Sequence, residues 1–161
     1  MALNYGNFET AFIALLEGRF NTDSAAADEW AEVYWDYAQD AEDPNTFEPE
    51  FLGTEKDTLS SALESLFETK SDDPATAPGN AATAIANALQ AFWLTPPIVF
   101  DVGAVTLSQN TATLITDLTT IFQSLSTDSN AKAIEIATAI DAFTHGIYVE
   151  HVDPLVSGTI T

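Results

Sequence analysis

Few residue types in this chain are suited to chemistry. Two histidines, His145 and His151, stand late in the sequence, with Glu150 and Asp153 beside the second. One imidazole and two carboxylates can hold a divalent metal. The histidines span a helix end and an extended tail, so they do not reliably share a face, and surface polar groups are the favoured reading. Asp40, Glu42 and Asp43 can attract divalent cations loosely. Neither that run nor Asp72-Asp73 has the alternating order of a calcium loop. There is no cysteine, so there is no thiolate nucleophile, thiolate metal site or disulfide. No serine sits in a Gly-x-Ser-x-Gly elbow, and no phosphate-cradling or dinucleotide glycine motif is present. The expectation is a non-enzyme with no catalytic residue, metal or cofactor.

Charge is the extreme feature. Among 161 residues, 25 acids face 4 bases, Arg19, Lys56, Lys70 and Lys132, for a net charge of −21. Residues 1–75 hold 18 of the acids. Such a surface repels nucleic acid and anionic membranes. Three readings stay open: solubility together with a basic protein partner, a high-salt habitat, or mimicry of a phosphate array. For the last, Asp28, Glu32, Asp36 and Asp40 form an acidic face, one stripe at helical spacing. Like charges so spaced weaken a helix by a few tenths of a kcal/mol each, so packing must hold it. Trp30, Tyr34, Trp35 and Tyr37 can be a ligand surface or core. Helical spacing favours core, with Trp35 the most exposed.

The elements that must position these residues are mostly helices. Phe8, Ala11, Phe12, Leu15 and Leu16 share a face over 4–20, with Gly18 weakening the end. Asp23 or Ser24 caps a second helix to about Gln39. Residues 40–53, with Pro44 and Pro49, form a loop pinned by Phe47, Phe51 and Leu52. Thr54 and Asp57 begin a third helix with a capping box. Asn80 caps a fourth, from Ala81 to Leu94, ended by Pro96-Pro97. Two more helices run over 110–125 and 130–144, the last ended by Gly146. No apolar run reaches the roughly 18–20 residues of a membrane span. The N-terminal residues lack a basic region and a signal-like core, so no secretion signal is expected.

A repeat organises the second two-thirds. Leu59, Leu63, Leu66 and Phe67 match Leu114, Leu118, Ile121 and Phe122, and Ile85 to Phe92 matches Ile136 to Phe143. Each pair of helices leads to an extended stretch ending in Gly-x-Val/Ile-Thr, at Gly103–Thr106 and Gly158–Thr161. One helical hairpin cannot bury its own apolar face, but stacked hairpins can. The predicted fold is therefore mainly α. A single domain holds about six helices as two or three stacked hairpins, with β-prone segments near 98–106 and 147–161. Its parts are a hairpin over 4–39, a loop over 40–53, and repeat units over 54–106 and 110–161. The first hairpin reads as a diverged third copy.

The β-prone segments are the candidate joints to a partner. Ile98, Val99, Phe100, Ile147, Tyr148, Val149, Val156 and Ile160 are the contact candidates, and the tail is a plausible donor strand or else tucks locally. If it is a joint, truncation after Gly146 leaves a folded helical monomer that cannot assemble.

The two helix-to-tail junctions carry a resemblance. Ala91-Phe92-Trp93 is followed by Pro-Pro and a Gly-x-Val-Thr strand, and Ala142-Phe143-Thr144 by a short terminal strand. Over residues 81–161 this resembles small proteins encoded among the structural genes of tailed phages and contractile tails. The resemblance implies a structural role, made in the cytoplasm and ending in a virion or particle. Its protein partners would be copies of itself or other virion or tail subunits. It supplies no catalytic residues, and the acidic first half departs from it. The alternatives are an acidic inhibitor that mimics nucleic acid and a halophilic helical protein.

Overall fold

A computed structural model of the chain describes all residues except 1–2, 70–72, 109, 125–127 and 153–154. Leu125, Lys70, Asp72 and Asp153 therefore lie outside the described residues. The elements run α1 (Tyr5–Glu17), α2 (Asp23–Ala38), α3 (Thr54–Glu68), α4 (Ala77–Leu94), β1 (Val99–Phe100), β2 (Gly103–Ser108), α5 (Thr111–Gln123), α6 (Ser129–Thr144), β3 (Ile147–Glu150) and β4 (Gly158–Thr159). The fold is mainly helical with one small antiparallel sheet, in the order β1-β2-β3-β4.

Each helix packs on its neighbours in sequence, and α6 returns to pack on α1. The stacked hairpins α1–α2, α3–α4 and α5–α6 thus close into a ring. Closure removes the two bare ends that an open stack would expose.

One burial pattern recurs on the second helix of every hairpin. Ala27, Trp30, Ala31, Tyr34, Tyr37 and Ala38 are buried on α2. In the same spacing come Ala82, Ile85, Ala86, Leu89, Phe92 and Trp93 on α4, and Ala133, Ile136, Ala137, Ile140, Phe143 and Thr144 on α6. The alanines let these helices approach closely. The first helices supply a lighter row: Phe8 and Phe12, Leu59 and Leu63, Leu114 and Leu118.

Several helix starts differ from their sequence signals. Thr22, rather than Asp23 or Ser24, caps α2 by accepting from the Ala25 amide at 3.1 Å. Gly53 precedes α3 with φ +91°, and Glu55 reaches back to accept from the Leu52 amide at 3.3 Å. Thr54 and Asp57 make no capping box; Thr54 is already helical, so its hydroxyl is not at the capping position. Thr76, not Asn80, begins α4, with Pro78 in the first turn, where a missing N–H has no cost.

After each hairpin comes an arm: residues 39–53, 95–110 and 145–161. The second and third arms form the sheet. β2 and β3 pair from Ala104↔Glu150 to Ser108↔Ile147, with an irregularity between Val105 and Leu107. The first arm caps both edges. The Glu50 amide donates to the Val99 carbonyl at 2.8 Å, beside β1. Beyond β4, Glu42 and Thr161 exchange backbone bonds at 3.1 and 2.8 Å. Gly146 does not end α6 through a left-handed turn. It lets Asn110 approach, since a Cβ there would lie 2.3 Å from the Asn110 amide nitrogen, which donates to the Ala142 carbonyl.

Candidate functional site

The arms place the contact candidates in two opposite ways. Ile98, Phe100, Ile147, Val149 and Ile160 are buried in the chain's own core. They are not surface contacts, and this corrects the expectation for those five. Strand alternation turns their side chains onto the helices. Val99 and Val156 are exposed, and Tyr148 is partly exposed. The tail tucks locally, held by the Ile160 amide on the Ile147 carbonyl and by the Glu42–Thr161 pair. It is not offered as a donor strand.

An outer apolar row remains. Val152 is 74% exposed, Val156 61% and Val102 60%, while Leu52, 76% exposed, lies past Glu50 toward the opposite end of β1. The register explains the row's layout. Since Ala104 faces Glu150, the β1–β2 turn at Val102 and the segment after Glu150 lie at the same end of the sheet. Asn45 of the first arm fixes Val156 there through two bonds. Its side-chain amide donates to the Val156 carbonyl at 2.8 Å, and its carbonyl accepts from the Val156 amide at 3.0 Å. Three arms thus converge on one end of the sheet.

Just beneath lies a buried polar junction that the sequence did not announce. The His151 imidazole meets the Asp43 carboxylate through Nε2, with both side chains fully buried. Asp43 also accepts from the Asn45 and Phe47 amides, each at 2.8 Å. His151 is thus a buried arm-to-arm tie rather than a surface group. Gly103 makes room for it: a Cβ there would lie 2.2 Å from the ring. His145 is exposed and bonds back to the Asp141 carbonyl at 3.0 Å. Among the described residues no three histidines, aspartates or glutamates cluster to hold a metal.

The aromatic group on α2 is core. Trp30, Tyr34 and Tyr37 are buried, and Trp35, partly buried, rests on Phe51 with ring centroids 4.6 Å apart. Tyr34 links the inner helices of all three hairpins. Its hydroxyl accepts from the Trp93 indole at 2.7 Å and lies 3.0 Å from the Thr144 hydroxyl. Burial pushes the Tyr34 hydroxyl pKa up, against those two bonds. Burial, then the bond to Asp141, raises that of Tyr37.

The acidic stripe is turned partly toward α3. Asp28 accepts from the Ser60 hydroxyl and Glu32 from the Lys56 ammonium, each at 2.5 Å. Partial desolvation, with Glu32 and Asp40 nearby, raises the Asp36 pKa against the pull of Lys56. Asp40 is half-buried at the stripe's end. No helix among the described residues is long and apolar enough to cross a membrane. No family model, curated protein or solved structure matches the chain.

Proposed function

We propose that this chain is a non-enzymatic assembly component of a phage-like particle or tail, and that its copies meet through the outer row of the arms. The observation that carries this reading is the group Val102, Val152 and Val156. These are water-facing valines at one end of the sheet, on segments whose inner residues are locked into the core. Apolar side chains on a rigid support suit a protein–protein contact. Because the first arm caps both sheet edges, joining runs through side chains and not through strand addition. The particle setting rests on the resemblance of residues 81–161. Strong like charge opposes association of copies at low salt and is screened as salt rises.

The acidic-inhibitor reading ranks second, since Asp28 and Glu32 already bond within the fold. Sedimentation velocity of the Val152→Asp/Val156→Asp double variant tests the proposal. Wild type sediments as an oligomer in salt and the variant as a folded monomer. A variant oligomer like the wild type overturns it.

A further inference from the structure

The ring of helices leaves an apolar cavity of about 300 Å³, with Leu16, Trp30, Phe67, Ile85, Phe122 and Ile136 in its lining. Every helix contributes. Trp30, Ile85 and Ile136 occupy the same place in the burial pattern of their hairpins, so the space lies where the three hairpins converge. It opens beside Leu16 and Phe20, which are each 39% exposed. Tyr34, Trp93 and Thr144 fill the middle of the ring, and this end beside Leu16 and Phe20 is packed less fully. Among the lining residues only Trp30 carries a side-chain polar group, its indole N–H.

The lining and the volume define the occupant. With one indole N–H as the only side-chain donor among the lining residues, the bound portion is mainly hydrocarbon. At about 30 Å³ for each water-sized group, the space admits roughly ten methylenes. A polar end would remain at the mouth. Arg19 and Lys132, two of the chain's 4 basic residues, are close in sequence to lining residues. Arg19, exposed, stands between the lining residues Gly18 and Phe20. Lys132 lies one helical turn before Ile136 and bonds the Ile121 carbonyl and the Ser124 hydroxyl at the end of α5. Glu17 is exposed beside the same turn as Arg19 and moderates its field. We infer that the cavity binds the alkyl chain of a medium-length aliphatic carboxylate, tail inward among Trp30, Ile85 and Ile136, with the carboxylate at Arg19.

The site is separate from the arms, so its test does not depend on assembly. Decanoate, below its micelle concentration, and decanol are titrated into the full chain by calorimetry, with tryptophan emission followed in parallel. Trp30 lines the cavity and Trp35 and Trp93 do not, so the emission change reports its filling. Saturable binding of one decanoate per chain is expected, with Kd on the order of 10 μM, and decanol several-fold weaker. Ala26→Leu and Ile136→Phe fill the space from two helices and should each weaken decanoate at least tenfold. Near-UV circular dichroism identifies whichever variant retains the native core. Arg19→Glu should weaken decanoate about fivefold and leave decanol unchanged. Absence of saturable binding, or unchanged affinity in a natively folded filled variant, overturns the cavity assignment. Equal affinity for decanol and decanoate overturns the carboxylate assignment.

Discussion

Asp43 and His151 meet in the interior although 108 positions separate them in sequence. The contact ties the first arm to the third, and through Asn45 it sets where Val156 stands. Removing one partner of this buried pair leaves the other's polar atoms without that hydrogen bond, at about 1–3 kcal/mol. Asp43→Ala or His151→Ala should therefore lower the unfolding free energy by that order in urea titrations. Gly103→Ala should act in the same direction, since its Cβ would overlap the imidazole. Losses under about 1 kcal/mol for all three would contradict a structural role for the pair.

Tyr34 should behave as the polar centre of the ring. In Tyr34→Phe the Trp93 indole loses its acceptor, while Thr144 keeps its bond to the Ile140 carbonyl. The cost should be about 1–3 kcal/mol, that of a buried donor left unpaired. A double-mutant cycle with Trp93→Phe should show coupling, because the two side chains touch. Additive effects would place the indole bond elsewhere.

Alkaline pH should unfold the protein through its buried tyrosines. Burial raises the Tyr34 and Tyr37 pKa values above the ordinary 10.0. Once the pH passes that ordinary value, the unfolded chain releases these protons and the folded chain keeps them. The folded state then binds more protons, so stability falls as pH rises, by about 1.4 kcal/mol per pH unit for each tyrosine. Of the 4 tyrosines, Tyr34 and Tyr37 should ionise only as the fold is lost. Tyrosinate absorbance followed beside circular dichroism checks this; ionisation of all tyrosines within a native spectrum would contradict it.

Truncation after Gly146 should abolish folding rather than release a stable monomer. It removes Ile147, Val149 and Ile160, all buried, and with them the bonds between Glu42 and Thr161. Each buried aliphatic side chain contributes about 1.5–3 kcal/mol. Three such losses approach the whole stability of a domain. A helical far-ultraviolet spectrum with a cooperative thermal transition in the truncated chain would contradict this.

The helices were legible because their apolar residues recur at a helical period, as in Leu114, Leu118 and Ile121. The cap residues were less legible, since Thr22 caps with its hydroxyl one position ahead of the acidic and serine candidates, and Gly53 and Thr76 make no side-chain cap bond at all. The direction of the arms was missed for a different reason. Strand propensity marks Ile147, Val149 and Ile160 as strand residues but does not say which face meets the core. Ile147 and Val149, two apart, were the available signal of an inward face. His151 was misread as a surface group because its partner lies in the first arm, beyond any local spacing rule.

Assembly through the outer row of the arms shows itself in the mass of the particle in solution. Light scattering after size-exclusion, in low salt and in about molar salt, where the Debye length falls to roughly 3 Å, measures it for the purified chain. A mass near 17.3 kDa at low salt, rising to a multiple of it in molar salt, is the predicted result. A compact monomer in both conditions would contradict assembly through the arms.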